Sequence, residues 1–68
     1  MTLSARNHIP GTVEEITLGG VMAHVVVRVG NYTAESVVTR KSAEETQLKK
    51  GDKVTAVIKS TEVMLQKE

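Results

Sequence analysis

The clearest pattern in the chain is an alternation of side chains between Val21 and Val29. Every second residue falls on one apolar face: Val21, Ala23, Val25, Val27 and Val29. The opposite face is mixed and carries Met22, His24, Val26 and Arg28. A period of two predicts a β-strand. The β-branched run Thr12–Leu18 precedes it across Gly19-Gly20, a strong turn signal, so the two runs predict a β-hairpin.

The same signals predict three further strands along the chain. After a turn at Gly30-Asn31, these are Tyr32–Thr39, Lys53–Lys59 and, more briefly, Val63–Leu65. Turns are expected at residues 50–52 and 60–62, which contain glycine, aspartate, serine and threonine.

One short helix is predicted at residues 41–46, between the third and fourth strands. Ser42 is the expected N-cap, and Glu45, three residues later, completes a capping box. The predicted fold class is therefore all-β: a five-stranded barrel of the oligonucleotide/oligosaccharide-binding (OB) kind with one short helix. We expect a single domain over residues 1–68.

The composition indicates how so small a domain is stabilised. A chain of 68 residues buries only about 60% of the surface that it exposes when unfolded, and it needs some supplement to its core. There is no cysteine, and two histidines are too few for a metal cluster. Tyr32 is the only aromatic residue, although the apolar fraction is 40%. Association of identical subunits is the remaining supplement, and we expect a homo-oligomer.

Several classes of function are disfavoured. The net charge of +1 recruits neither nucleic acid nor an anionic membrane strongly. No apolar run suits a membrane span or a signal peptide, so the expected location is the cytoplasm. His8 and His24 lack the neighbours of a catalytic triad, the carboxylate pairs Glu14-Glu15 and Glu44-Glu45 are typical of solvated surface, and no phosphate-binding glycine loop is present. We expect no enzymatic activity.

Two short stretches combine a cation with hydrogen-bond donors. They are Ser4-Ala5-Arg6-Asn7 near the N-terminus and Lys59-Ser60-Thr61 after the fourth strand. Arginine offers a planar fork of N–H groups, lysine a point charge and serine a rotatable hydroxyl, which together suit a tetrahedral oxyanion. The alternative interpretation is a frayed terminus and a solvated turn.

The chain resembles the molbindin family, the stand-alone form of the Mop domain. The similarity covers essentially its whole length, in three matching stretches: Leu3–His8 with Pro10–Val13, Gly20–Val25, and Gly51–Met64. Its specific part is the combination of Ser4-Ala5-Arg6-Asn7 with residues 56–61. The resemblance implies an OB-like barrel, a hexamer arranged as a trimer of dimers, and binding of molybdate or tungstate at subunit interfaces. The implied role is storage of these oxyanions for molybdenum or tungsten homeostasis.

The resemblance also implies which residues form the site. Ser4 and Arg6 would come from one subunit and Lys59 and Ser60 from a neighbour, assisted by backbone N–H groups near Ala5 and in the Gly19-Gly20 turn. Molybdenum or tungsten would be bound as the oxyanion, with no side chain as a direct metal ligand. This chain has His8 where the family often has glutamine, and Gly19-Gly20 where the family more often has lysine and glycine.

Two other functions compete with this interpretation. An OB module that binds single-stranded nucleic acid stacks bases on aromatic residues and lines a groove with cations, whereas this chain has one aromatic residue. The second competitor is an assembly domain that binds no ligand, in which the N-terminal stretch only pairs across subunits. A specific ligand raises the melting temperature of a protein that binds it, whereas an assembly domain that binds no ligand shows no shift.

Overall fold

The computed structural model describes residues 5–67, which form one antiparallel four-stranded sheet in the order β3-β2-β1-β4. The strands are β1 (Asn7–Leu18), β2 (Met22–Val29), β3 (Tyr32–Thr39) and β4 (Lys53–Ile58). A single helix, α1 (Arg40–Glu45), follows β3, and a 3₁₀ turn (Ser60–Glu62) follows β4. The predicted all-β class with one short helix is confirmed.

Strand β1 is shared between two partners. Its first half pairs with β4, from Asn7 opposite Ile58 to Thr12 opposite Lys53. Its second half pairs with β2, from Thr12 opposite Arg28 to Leu18 opposite Ala23, and the register shifts between Val13 and Glu15. A bulge of this kind bends a strand and increases its twist, so the sheet coils as an OB-like barrel requires.

The core is built from the apolar face that the alternation predicted. Ala23, Val25 and Val27 of β2 are buried together with Val13 of β1 and Ala43 of α1. Partly buried side chains surround them: Ile16, Val29, Val38, Leu48 and Val54. The alternation extends one residue too far, because Val21 precedes β2 and is 75% exposed.

Pro10 and Gly11 lie inside β1, although both residues commonly end strands. Pro10 is tolerated because at this point β1 pairs only with β4, at Thr55, and the missing N–H leaves no ladder bond to β2 unmade. Gly11 allows the backbone of β1 to approach β2 closely. A β-carbon at Gly11 would lie 2.6 Å from Val27 Cγ1 and 2.7 Å from the carbonyl oxygen of Arg28.

The helix start was predicted wrongly. The N-cap is Thr39, whose Oγ1 accepts a hydrogen bond from the Ser42 N–H at 3.1 Å, and the helix begins at Arg40. Strand β3 ends at Thr39, and the hydroxyl of this residue caps the helix that follows directly. Ser42 is therefore the third helical residue. The expected capping box of Ser42 and Glu45 is therefore not formed.

The predicted fifth strand is also absent from the described residues. Val63, Met64 and Leu65 follow the 3₁₀ turn without pairing, and Met64 and Leu65 are 93% and 94% exposed. The unpaired edges of β3 and β4 instead border an apolar cleft of 320 Å³, whose lining includes Ala34, Val38, Val54, Ala56 and Ile58. Tyr32, the only aromatic residue, is 80% exposed. Neither described helix is long and apolar enough to cross a membrane.

We predict that Gly11→Ala destabilises the protein by about 1–3 kcal/mol, the usual range for overpacking, because the added methyl group meets backbone and core atoms of β2. Gly20→Ala is the matched control, since a β-carbon there has nothing within 4 Å. Urea unfolding of the two variants at equal protein concentration measures the difference. Equal unfolding midpoints would contradict the close approach of β1 to β2.

Candidate functional site

The described residues of the two candidate stretches lie at the same end of the β1–β4 ladder. Its last pair is Asn7 and Ile58, and the Asn7 side-chain amide Nδ2 donates a hydrogen bond to the Ile58 carbonyl oxygen at 3.2 Å, across 51 residues of sequence. Arg6 directly precedes this pair and Lys59 directly follows it. The fold therefore brings together two cations from opposite ends of the chain.

The charges at this end are accessible to a ligand. Arg6, Lys59 and Ser60 are exposed, and Ala5 is half-buried. Within residues 5–67, neither Arg6 nor Lys59 takes part in an ion pair. Ser4, the remaining residue of the predicted set, lies outside the described residues. We call Ala5, Arg6, Lys59 and Ser60 the chain-end cluster.

His8 contacts the backbone of this cluster. Its Nε2 lies 3.3 Å from the carbonyl oxygen of Ala5, and in the tautomer with a proton on Nε2 the imidazole donates a hydrogen bond to that oxygen. The contact holds the segment before β1 against the strand. His8 thus supports the position of Ala5 and Arg6 through the backbone.

The Gly19-Gly20 turn lies at the other end of β1. The twelve residues of β1 separate the turn from the chain-end cluster, and among the described residues no hydrogen bond or ion pair joins the two. The Gly19 N–H donates a hydrogen bond to the Met22 carbonyl oxygen at 2.7 Å and is already used. Among the described residues, the Gly20 N–H has no partner. Gly20 is therefore the donor that this turn can offer to a ligand.

Sequence reasoning missed Arg40, which lies against the Gly19-Gly20 turn. Its Nη1 donates to the Gly19 carbonyl oxygen at 3.1 Å, and its backbone N–H donates to the Val21 carbonyl oxygen at 2.7 Å. Its Nε also lies 3.4 Å from a carboxylate oxygen of Glu44. The register of the β2–β3 hairpin could have indicated this contact, because Met22 pairs with Thr39 and Arg40 therefore lies beside the turn that precedes β2.

The described residues contain no group of three or more histidine, cysteine or acidic side chains that could hold a metal ion. His24, the second histidine, instead pairs with Glu35 on the neighbouring strand, with Nε2 2.6 Å from Oε1. Both side chains are substantially exposed. Neither histidine therefore belongs to a metal site among the described residues. The chain-end cluster offers hydrogen-bond donors and positive charges, an arrangement suited to an oxyanion.

Comparison with known sequences places this geometry in context. A family model described as the TOBE domain matches residues 3–65. The chain is 41% identical over 66 residues to molybdenum-pterin-binding protein 1 of Clostridium pasteurianum, covering 96% of this chain and 97% of that protein. That relative is named for binding rather than for catalysis, in agreement with the expectation that this chain is not an enzyme.

Solved structures show the same fold. A molybdate-binding protein from Sporomusa ovata superimposes with a TM-score of 0.93 at 39% identity, covering 98% of this chain and all of that one. The cytoplasmic molybdate-binding protein ModG, in a form with molybdate bound, superimposes with a TM-score of 0.81 at 39% identity. The match covers 88% of this chain and 43% of ModG. The OB-like architecture expected from sequence is therefore confirmed.

We predict that Arg40→Ala loosens the Gly19-Gly20 turn and lowers the free energy of unfolding by about 1 kcal/mol, the usual value of one hydrogen bond. Exchange of the Gly19 amide proton should become faster, whereas exchange near Asn7 should not change. Lys41→Ala removes the same charge from the adjacent exposed residue and serves as the control. Hydrogen exchange followed by NMR measures both effects, and an unchanged Gly19 rate would show that Arg40 does not hold the turn.

Proposed function

We propose a function from the premise that this chain belongs to the TOBE domain family. In this proposal the protein binds molybdate or tungstate as oxyanions at the subunit interfaces of a cytoplasmic homo-oligomer, for storage and homeostasis of molybdenum or tungsten. Two findings support the ligand class: the similarity to a molybdate-binding protein of known structure and the character of the chain-end cluster. The location is supported by the likeness to ModG, which is described as cytoplasmic.

The observation that carries the proposal is that Arg6 precedes and Lys59 follows the paired residues Asn7 and Ile58 on neighbouring strands. Two positive charges balance the two negative charges of the oxyanion. The Arg6 guanidinium supplies a fork of N–H groups, Lys59 an ammonium and Ser60 a hydroxyl. The resemblance assigned these two segments to different subunits. Because one chain already brings its own two cations together, we assign to the neighbouring subunit the donors that complete and enclose the site, Gly20 and the Gly19-Gly20 turn among them.

A cluster made of donors selects for an oxyanion without a proton. All four oxygens of molybdate accept hydrogen bonds near neutral pH. Monohydrogen phosphate carries one O–H group, and leaving such a donor unpaired costs about 1–3 kcal/mol. Sulfate has the same charge and shape as molybdate with shorter bonds, so the size of the enclosure has to discriminate between these two ions.

The strength of binding follows from a few contacts. A hydrogen bond to a charged group contributes on the order of 1.5–3 kcal/mol. Several such bonds, less the cost of removing water from the ion, reach the roughly −8 kcal/mol that corresponds to a micromolar dissociation constant. In a single subunit, water and salt screen the attraction between the exposed cluster and the oxyanion, and enclosure by a second subunit strengthens this attraction.

Exposed apolar surface supports the proposed oligomer. Only five side chains of the described residues are fully buried, whereas Val21, Val37, Met64 and Leu65 are each more than half exposed. Subunits that cover this surface gain the burial that the thin core lacks. We propose the homohexamer that the family resemblance implies, arranged as a trimer of dimers.

Arg6→Ala is expected to weaken molybdate binding at least roughly tenfold, equivalent to about 1.4 kcal/mol, while the oligomer stays assembled. Lys50→Ala, which removes one charge from an exposed turn, should bind molybdate like the unaltered protein. Calorimetric titration with sodium molybdate, with sedimentation of the same samples, provides both readouts. Unchanged affinity in Arg6→Ala would exclude Arg6 as a ligand.

Leu65→Asp is expected to weaken subunit assembly at least roughly tenfold, because it places a charge on an apolar side chain that is fully exposed in the single subunit. Gln66→Asp introduces the same charge one residue later, on a side chain that is already polar, and should assemble normally. Sedimentation equilibrium over a range of protein concentrations tests both variants. A monomeric unaltered protein, or equal assembly of the two variants, would contradict the proposed contact.

A further inference from the structure

A second polar feature lies on the outer face of the barrel, where β1 changes partner. Thr12 is the only residue of β1 that the register pairs with both neighbouring strands: it lies opposite Arg28 of β2 and opposite Lys53 of β4. Residues directly opposite one another in an antiparallel pair point to the same face. A row of cation, hydroxyl and cation therefore crosses three adjacent strands.

The row borders a shallow groove of 390 Å³. Its walls are formed by Pro10, Gly11, Thr12, Arg28, Gly30 and Lys53. Gly30 has no side chain to fill the space: a β-carbon there would have nothing within 4 Å, and its φ is 61° in the turn between β2 and β3. Adjacent strands are about 5 Å apart, so the Cα atoms of Arg28 and Lys53 are about 10 Å apart. Their long side chains can reach one small ion above Thr12.

The charges in this groove are held in place and remain available. Arg28 donates from Nε and Nη2 to Oε1 of Glu14, at 3.2 Å and 2.7 Å. This leaves the Nη1 protons of the guanidinium without a partner among the described residues. In the same part of the chain, Lys53 makes no ion pair and the Thr12 hydroxyl makes no hydrogen bond. Glu14 lies outside the groove wall but pairs with Arg28, so these two cations and one carboxylate together carry a net charge of +1.

We propose that this groove binds inorganic phosphate in its monohydrogen form. Lys53, Thr12 and Arg28 supply the donors. Glu14 supplies what the chain-end cluster lacks, which is an acceptor, because both of its hydrogen bonds use Oε1 and leave Oε2 free for the proton of a hydrogen phosphate. Sulfate has no proton to offer at neutral pH. It therefore forms no hydrogen bond with Glu14 and is repelled by its negative charge.

The groove is separate from the chain-end cluster. Thr12 lies five residues along β1 from Asn7, a distance of about 17 Å in an extended strand. The proposal therefore does not depend on molybdate binding, and the two are tested independently in the same variants.

The test is an amide NMR titration of the labelled protein with sodium phosphate at constant ionic strength, with sodium chloride as the blank. We expect saturable shifts of the amides of Gly11, Thr12 and Arg28, and at least roughly fivefold weaker binding in Lys53→Ala and in Thr12→Val. Lys50→Ala, with the same charge change outside the groove, should bind phosphate normally. Shifts equal to those with chloride, or equal binding by the two lysine variants, would overturn the proposal.

Two further titrations identify the ligand. Methyl phosphate above pH 7 is mainly a dianion without an O–H group, so it should bind more weakly than inorganic phosphate, and equally tight binding would overturn the role of Glu14. Failure of both overturns the site. Sulfate should bind more weakly than phosphate, and Glu14→Gln should reduce this preference; equal binding of the two ions to the unaltered protein would overturn the role of Glu14.

The molybdate titration of Lys53→Ala keeps the two proposals apart. Because Lys53 is distant from the chain-end cluster, this variant should bind molybdate with unchanged affinity while losing phosphate. Loss of both ligands in Lys53→Ala would mean that the substitution disturbs the whole fold, and it would overturn the assignment of a separate groove.

Discussion

The structure depends on the way β1 divides its backbone hydrogen bonds between β4 and β2. The change of partner occurs at Thr12, and it requires the two backbones to approach each other more closely than a side chain at Gly11 would allow. The same division sets both ends of β1. It places Arg6 beside Lys59 at one end and the Gly19-Gly20 turn beside Arg40 at the other, so one geometric constraint positions the polar residues at both ends of β1.

The thinness of the core has a functional consequence. Val13 is the largest side chain that is almost completely inaccessible, and the cleft between β3 and β4 remains open and apolar. A barrel of this kind buries little apolar surface by itself, so it gains stability when a partner covers the apolar surface that remains exposed. Placing a ligand between subunits then links its binding to assembly, since an ion that binds only the assembled form stabilises it by mass action.

Much of this fold could be predicted from the sequence because local signals agree with the tertiary structure. The alternation in β2 is correct, since one face of that strand packs on the core. The start of β1 was missed because Pro10 and Gly11 are breakers by local rules, and only the change of partner makes them acceptable. The cap at Thr39 and the contact of Arg40 with Gly19 depend on where β3 ends, which no local pattern specifies. The two chain-end stretches are candidates by residue type, and only the family resemblance favours a binding site there, because cations and hydroxyls near a terminus are not distinctive on their own.

The two proposed sites differ in one chemical respect, and the difference explains how a small barrel can keep two tetrahedral anions apart. Within residues 5–67, the two cations of the chain-end cluster form no ion pair with a carboxylate, so the cluster favours a dianion whose oxygens all accept. In the groove, Glu14 neutralises part of the charge of Arg28 and presents an acceptor, so a proton on the anion becomes an advantage. Net charge alone does not provide this discrimination, because all these ions are attracted to cations. The position of a single carboxylate decides which oxyanion has every hydrogen bond satisfied.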